Sequence, residues 1–377
     1  MKKIFFSFII FPFSLLSQSI DVLFLGNSYT YANNTPQMVK DIALSFGDSL
    51  EFDSSTPGGA TFNGHSTNST TLNKISSKNW DYIVMQAQSQ EPSFSPSQVS
   101  TDVYPYAQIL IDSIESNSNC TEPIFFMTWG RKYGDQQNCQ FYPPICTYSG
   151  MQQRLKESYL ELTLTHDASC APVGLAWKES ISQDSLLNLY TSDNSHPNIY
   201  GSYLAACTFY ATIFKKSPIG SSFIPTFIDS ATALFLQTIA SNVVLDSLSN
   251  WNVFNSQFSS SINEDSVFFN NQSSNYENVV WDFGDGNIST NIDPIHVYQN
   301  PGVYNVSLIT STNNTCVVDT FSNLISVNFS TGLDNISNPK QIIEIFDVFG
   351  RKIRERNNIP LFYIYDDGTY ERKFTIE

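Results

Sequence analysis

Along the first 250 positions, short runs of consecutive apolar residues alternate with stretches whose apolar positions repeat at helical spacing. The runs at 21–25, 50–54, 82–86, 124–128 and 172–176 fit buried strands. Those at 37–46, 98–114, 150–165, 199–214 and 229–248 fit helices. In 199–214 the residues Ile199, Tyr203, Ala206, Tyr210 and Ile213 fall on one helical face, and Pro197 suits the entry to that helix. Strands that read as unbroken apolar runs are buried on both faces, as in parallel sheets covered by crossover helices. The alternation therefore predicts a three-layer α/β/α domain with a parallel sheet over residues 20–250. From 254 to 328 the helical period disappears. Strand-like stretches at 266–270, 279–283 and 304–310 are separated by Asn, Ser, Gly and Pro, which predicts a small all-β sandwich. The tail, 333–377, is again strand-rich, with sharp turns at Phe349-Gly350 and Asp366-Asp367-Gly368.

The extreme N-terminus departs from this pattern. Lys2 and Lys3 precede an apolar stretch at 4–16 and the small polar segment Ser17-Gln18-Ser19, so 1–19 reads as a secretory signal peptide. The apolar stretch falls short of the ~20 residues that span a bilayer, and no later segment is apolar enough to do so. A soluble, exported mature chain is expected. Charge narrows the partners: 19 Lys and Arg against 35 Asp and Glu leave a formal charge of −16, which excludes a nucleic-acid or anionic-membrane surface. The 14% aromatic content excludes disorder.

In an oxidising compartment the six cysteines can pair. Cys139 and Cys146 flank a short loop containing Pro143 and Pro144 and are expected to bond. Cys120 and Cys170 each stand just before an expected strand. If those strands are parallel neighbours, the two lie side by side. Cys207 sits in an apolar helix and reads as a buried thiol, while Cys316 is alone in the C-terminal half. Two disulfides and two thiols are expected.

Candidate chemistry begins directly after the first strand, at Gly26-Asn27-Ser28. A Ser at the C-terminal end of a buried parallel strand stands where open α/β sheets place their ligands. Far downstream, Asp193-Asn194-Ser195-His196-Pro197 sets an acid and an imidazole three residues apart before a helix. One turn can point them together, the base–orienter arrangement of nucleophilic catalysis. The other histidines are His65, His166 and His296.

These two blocks resemble the first and fifth blocks of the SGNH (GDSL-like) hydrolases, and Pro57-Gly58-Gly59 after the second strand resembles their second block. The resemblance spans about 20–248. It implies a flavodoxin-like α/β/α fold with Ser28 as nucleophile, His196 as general base and Asp193 as its orienting acid. The N–H groups of Ser28 and Gly59 would form the oxyanion hole. The usual Asp before the nucleophile is Asn27 here. The Gly-x-Asn-Asp third block, whose Asn side chain is an oxyanion donor, is replaced by Met85-Gln86-Ala87-Gln88-Ser89-Gln90. A Gln amide offers the same NH₂ group on a longer stem, so Gln86 is preferred as the substitute, then Gln88, with Gln90 also available. Trp129 and Arg131, after the fourth strand, are candidates to line a sugar or carboxylate subsite. Neither a cofactor nor a metal is expected.

Trp281-Asp282-Phe283-Gly284-Asp285-Gly286, with His296-Val297-Tyr298 and Pro301-Gly302-Val303-Tyr304-Asn305-Val306, resembles the PKD domain. This implies an immunoglobulin-like β-sandwich over 254–328 in which His296 belongs to a strand. The tail segments Ile345-Phe346-Asp347-Val348-Phe349-Gly350-Arg351-Lys352 and Pro360-Leu361-Phe362-Tyr363-Ile364-Tyr365 resemble type IX secretion sorting domains. The resemblance implies export by the type IX secretion machinery to the medium or cell surface. The expected activity is removal of acyl groups, acetyl in particular, from a carbohydrate. The alternative is a non-catalytic adhesion protein that binds glycans through a degenerate hydrolase domain.

Overall fold

The computed structural model describes residues 19–312, 318–329, 340–366 and 368–374. The expected signal peptide up to residue 18, the segment with Cys316, residues 330–339, Asp367 and residues 375–377 lie outside them. Five strands form the first sheet: β1 (Ile20–Leu25), β2 (Leu50–Ser55), β3 (Tyr82–Met85), β4 (Glu122–Phe126) and β5 (Ser169–Ala171). All pair in parallel, in the order β2-β1-β3-β4-β5. Strand order reverses at β1. The crevice beyond the C-terminal ends of β1 and β3 is therefore the switch point at which such sheets bind ligands.

The helices are α1 (Ser28–Tyr31), α2 (Thr35–Ser45), α3 (Phe62–Thr67), α4 (Ser69–Ile75), α5 (Pro96–Asp102), α6 (Tyr104–Asn117), α7 (Tyr148–Thr165), α8 (Val173–Gln183), α9 (Ile199–Phe214) and α10 (Ser230–Leu245). Side chains alternate across β1. Val22 and Phe24 meet α2, α8, α9 and α10 on one face, while Leu23 and Leu25 meet α3 to α7 on the other. The expected three layers are present.

Two local expectations need correction, and two short helices had no expectation. The run at 172–176 is not a strand: β5 is only Ser169–Ala171, and Pro172 caps α8. The stretch 98–114 is two helices, because Pro105 in the first turn of α6 lacks an N–H and its ring clashes with a continuing helix. The short polar helices α3 and α4 have almost no apolar period. They are set instead by their caps, Thr61 accepting from Gly64 N and Asn68 from Thr70 N and Thr71 N.

Cys139 and Cys146 are bonded, with Cα atoms 4.7 Å apart. Cys120 is disulfide-bonded, but not to Cys170, which is a buried free thiol like Cys207. The reason is register. Cys170 lies inside β5, opposite Phe125, five residues beyond Cys120 along the sheet and so about 16 Å away at ~3.3 Å per residue.

The second module packs an antiparallel sheet β10-β7-β6 against another, β12-β11-β8-β9, where β6 is Phe258–Asn263, β7 Ser266–Asn271, β8 Asn278–Asp282, β9 Ile288–Ser289, β10 Ile295–Val297, β11 Gly302–Ser311 and β12 Val318–Val327. Trp281, Phe269, Phe283 and Val306 fill its core. His296 lies on β10, stacked on Phe283 and hydrogen-bonded through Nε2 to Asp285 Oδ2 at 2.7 Å, so it braces the Asp-Gly turn. The tail forms a three-stranded antiparallel sheet of β13 (Ile342–Asp347), β14 (Pro360–Tyr365) and β15 (Tyr370–Phe374). Among the described residues, no helix is long and apolar enough to cross a membrane.

Candidate active site

The turn that carries Ser28 follows from the ends of three adjacent strands. Gly26 N donates to Ser55 O and Gln86 N to Leu25 O, which carries the sheet ladder one step past β1 on both sides. The chain then turns abruptly into α1. A Cβ on Gly26 would run into the Thr30 side chain and come within 2.8 Å of Gln86 Oε1, so the turn admits no larger residue. Asn27, buried, caps α1 by accepting from Tyr29 N and reaches back through Nδ2 to Ala60 O at 3.0 Å. Ser28 is thereby held half-buried at the crevice.

Asp193 organises the opposite wall. Its Oδ1 accepts from Ser195 N and His196 N, both at 2.9 Å, and from Thr191 Oγ1 at 2.8 Å, while Oδ2 bonds His196 Nδ1. This is an Asx-type turn, helped by the left-handed backbone of Asn194. His196 Nε2 lies 2.8 Å from Ser28 Oγ. Ser28, His196 and Asp193 thus form one continuous hydrogen-bonded line. Partial burial works against the Asp193 charge. It is outweighed by the bonds from the His196 ring, the N–H groups of His196 and Ser195 and the Thr191 hydroxyl, which hold the carboxyl well below the usual range. A carboxylate anchored in this way fixes the ring tautomer that leaves Nε2 free to accept a proton.

The two walls are tied together by residues that sequence reading missed. Tyr29 Oη and Ser195 Oγ are 2.6 Å apart, and Asn33 Nδ2 donates to Pro197 O and Ser202 Oγ. Tyr29 also stacks on Trp129 at 4.6 Å, and Trp129 stacks on Trp177 at 4.0 Å. Tyr29 could have been singled out only as part of the Gly-Asn-Ser-Tyr block. Asn33 and Trp177 carry no local signal.

Trp129 requires a correction. It is fully buried, and its Nε1 donates to Ser195 O at 3.0 Å. It supports the Asp193–His196 turn from beneath and is closed to substrate. Arg131 stays at the surface of the crevice, beside Asp193 and Asn194 in a shared groove, and pairs with the buried Asp135.

The expected donors divide. Gly59 is exposed, with φ +71°, in a turn closed by Ala60 N and Pro57 O. Neither its N–H nor that of Ser28 meets a hydrogen-bond acceptor among the described residues. The first choice for the third donor is overturned. Gln86 is wholly buried, and both of its amide hydrogens are used, on Asn27 Oδ1 at 2.9 Å and Ala87 O at 2.6 Å. Its Oε1 accepts from Asn27 N and Thr30 Oγ1. Gln86 therefore clamps the Gly26–Ser28 turn and has no amide hydrogen left to donate. Gln88 is half-buried. Its Oε1 takes Gln90 N, and Nε2 is engaged only at 3.4 Å with Gln90 Oε1, so a donor remains. Gln90 is committed to Asp135 through Nε2 at 2.7 Å.

Comparison with known proteins bears on the two larger modules separately. Residues 256–326 match the PKD domain family. A DUF4886 family protein from Bacteroides uniformis superposes with a TM-score of 0.52 at 17% identity, over 60% of this chain and 95% of its own. A protein from Slackia heliotrinireducens assigned to the SGNH hydrolases gives 0.42 at 24%, over 52% and 100%. An acetyl xylan esterase from Geobacillus stearothermophilus gives 0.38 at 13%, over 55% and 97%. No curated relative matches the chain. The N-terminal domain is a three-layer parallel-sheet domain like that of the Bacteroides protein, and it is followed by a PKD-type β-sandwich.

Proposed function

We propose that this chain is an exported serine esterase that removes acyl groups, acetyl in particular, from a carbohydrate. The observation that carries the reading is the unbroken line from Ser28 Oγ through the His196 ring to Asp193, at the switch point of an open α/β sheet. Ser28 Oγ attacks the ester carbonyl while His196 Nε2 takes its proton, and Asp193 stabilises the resulting imidazolium. The N–H groups of Ser28 and Gly59 and the Gln88 amide receive the developing oxyanion. Each such donor is worth about 10²–10³ in rate. Collapse expels the sugar oxygen, which takes the proton back from His196. Water then repeats the sequence on the acyl-enzyme, releasing the carboxylic acid and restoring Ser28. The tail, in this reading, addresses the chain to the type IX secretion machinery.

A second reading is favoured by one observation: the Gln86 amide, at the place of the missing third block, is sealed inside the protein. It makes the chain a surface adhesin with an inactive hydrolase domain. Hydrolysis of 4-nitrophenyl acetate separates the two. The esterase loses about 10⁴-fold or more in kcat on Ser28→Ala or His196→Ala, with circular dichroism unchanged, and loses less on Asp193→Asn. Equal rates for wild type and Ser28→Ala would establish the adhesin.

A further inference from the structure

A cavity of about 430 Å³ lies beside the segment leading into the Asp193–His196 turn, lined by Lys132, Tyr133, Tyr148, Leu187, Asn188 and Tyr190 among others. Its size is that of a small-molecule site, ~300–1,000 Å³. Tyr133 also lines the groove that holds Arg131, Asp193 and Asn194, so one side chain stands between the cavity and the groove beside Asp193. Lys132 N donates to Asn194 O at 3.0 Å, which ties the cavity wall to the catalytic turn.

Resting on the esterase reading, we propose that this cavity is a distal sugar subsite, which holds a pyranose unit of an oligosaccharide whose acylated unit sits at Ser28. Three observations choose a sugar over an extended acyl chain. The walls combine aromatic faces with hydrogen-bonding groups at the rim, Lys132 Nζ on Asn188 Oδ1 at 3.1 Å, a pairing that leaves ammonium hydrogens to donate. Tyr148 lines the cavity, and its buried hydroxyl has no hydrogen-bond partner among the described residues, a cost that a polar ligand atom reaching it would relieve. Tyr133 stands 61% exposed at the mouth, a free ring face on which a pyranose can lie. An alkyl tail would cover the apolar wall but offer no acceptor to the Tyr148 hydroxyl or to the ammonium hydrogens that Lys132 has left beyond Asn188. In this proposal the subsite selects the length of the leaving group and not the acyl group.

The test is binding of neutral β-1,4-linked xylo-, cello-, manno- and chito-tetraoses to full-length Ser28→Ala, by calorimetry, alongside hydrolysis of 4-nitrophenyl acetate and laurate by the otherwise unaltered enzyme. At least one tetraose should bind, and its monosaccharide should bind at least about tenfold more weakly. Tyr133→Ala should weaken the tetraose about tenfold and Tyr148→Phe, which removes only the hydroxyl, about two- to tenfold. Both variants should leave kcat on 4-nitrophenyl acetate unchanged. Binding of none of the four, or binding indifferent to both substitutions, overturns the subsite. So does a preference for laurate over acetate that Tyr133→Ala abolishes, since it would make the cavity an acyl site. Inactivity of wild type on 4-nitrophenyl acetate speaks against the esterase reading instead, and the tetraose result stands apart from it.

Discussion

Gln86 and Gln88 stand two positions apart yet are expected to fail differently when removed. Gln86→Ala strips partners from Asn27 N and the Thr30 hydroxyl inside a closed site. Each buried group left unpaired costs about 1–3 kcal/mol, so thermal stability should fall together with kcat. Gln88→Ala leaves the nucleophile turn intact. Its kcat on 4-nitrophenyl acetate should drop by about 10²-fold with KM nearly unchanged, because the oxyanion bond exists only in the transition state. Melting temperature should fall less than for Gln86→Ala, since the Gln90 N–H it leaves unpaired is only part-buried. Parallel melting curves and steady-state kinetics distinguish a clamp from an oxyanion donor. The same pattern in both variants would refute the division of labour.

Immediately after these glutamines, a single 3₁₀ turn (Glu91–Ser93) carries an acid in an adverse place. Burial, and then repulsion from Asp102, push the Glu91 carboxyl up to about 7, and its Oε2 has no partner among the described residues. The folded chain therefore keeps this proton over a range where the unfolded chain has released it. Between the ordinary value of 4.5 and about 7 the folded state binds more protons, so stability falls as pH rises through that window and stays low above it. Glu91→Gln keeps the shape and removes the charge. After allowance for its partial exposure, the variant should be more stable than wild type by about 1–2 kcal/mol at pH 8 and equal to it at pH 4.5. Thermal melts at the two pH values check this, and equal melting temperatures at pH 8 would refute it.

At the scale of the whole molecule, the first domain does not stop where its last long helix does. Trp251 and Val253 are buried in its core, Trp251 Nε1 donates to Val243 O at 2.8 Å, and Asn252 bonds Ala168 O through its side chain. The sandwich begins against this linker, with Asp319 accepting from Ser256 N and pairing with Lys215 of the first domain. The proposed site uses no residue of the sandwich or tail. A chain ending at 254 should fold and retain the full rate on 4-nitrophenyl acetate, whereas one ending at 250 loses the Trp251 packing. Removing a buried Trp costs about 3–5 kcal/mol, or roughly 10 °C in melting temperature for a domain of this size. A chain to 254 that is folded but inactive would show that the sandwich contributes to the site.

What the sequence determined by itself is whatever depends on neighbours along the chain. Apolar runs and helical periods located four of the five strands of the first sheet and its long helices other than α8. The tight Asp193-x-x-His196 spacing prefigured a turn that its own carboxylate closes, and the short Cys139–Cys146 loop its own bond. Ser28 and His196 lie 168 positions apart, and their meeting was legible only because each stands at a recognisable block. The tertiary structure decided the fate of side chains whose partners come from other strands. Gln86 is spent on Asn27, 59 residues away, because β3 lies beside β1 and carries it under the Ser28 turn. Trp129 is roofed by the Asp193–His196 turn, and Cys170 is displaced from Cys120 by the register of β5 on β4. A polar or aromatic residue looks the same in sequence whether it faces substrate or core. Strand order and register choose between them, and both arise from packing the whole sheet at once.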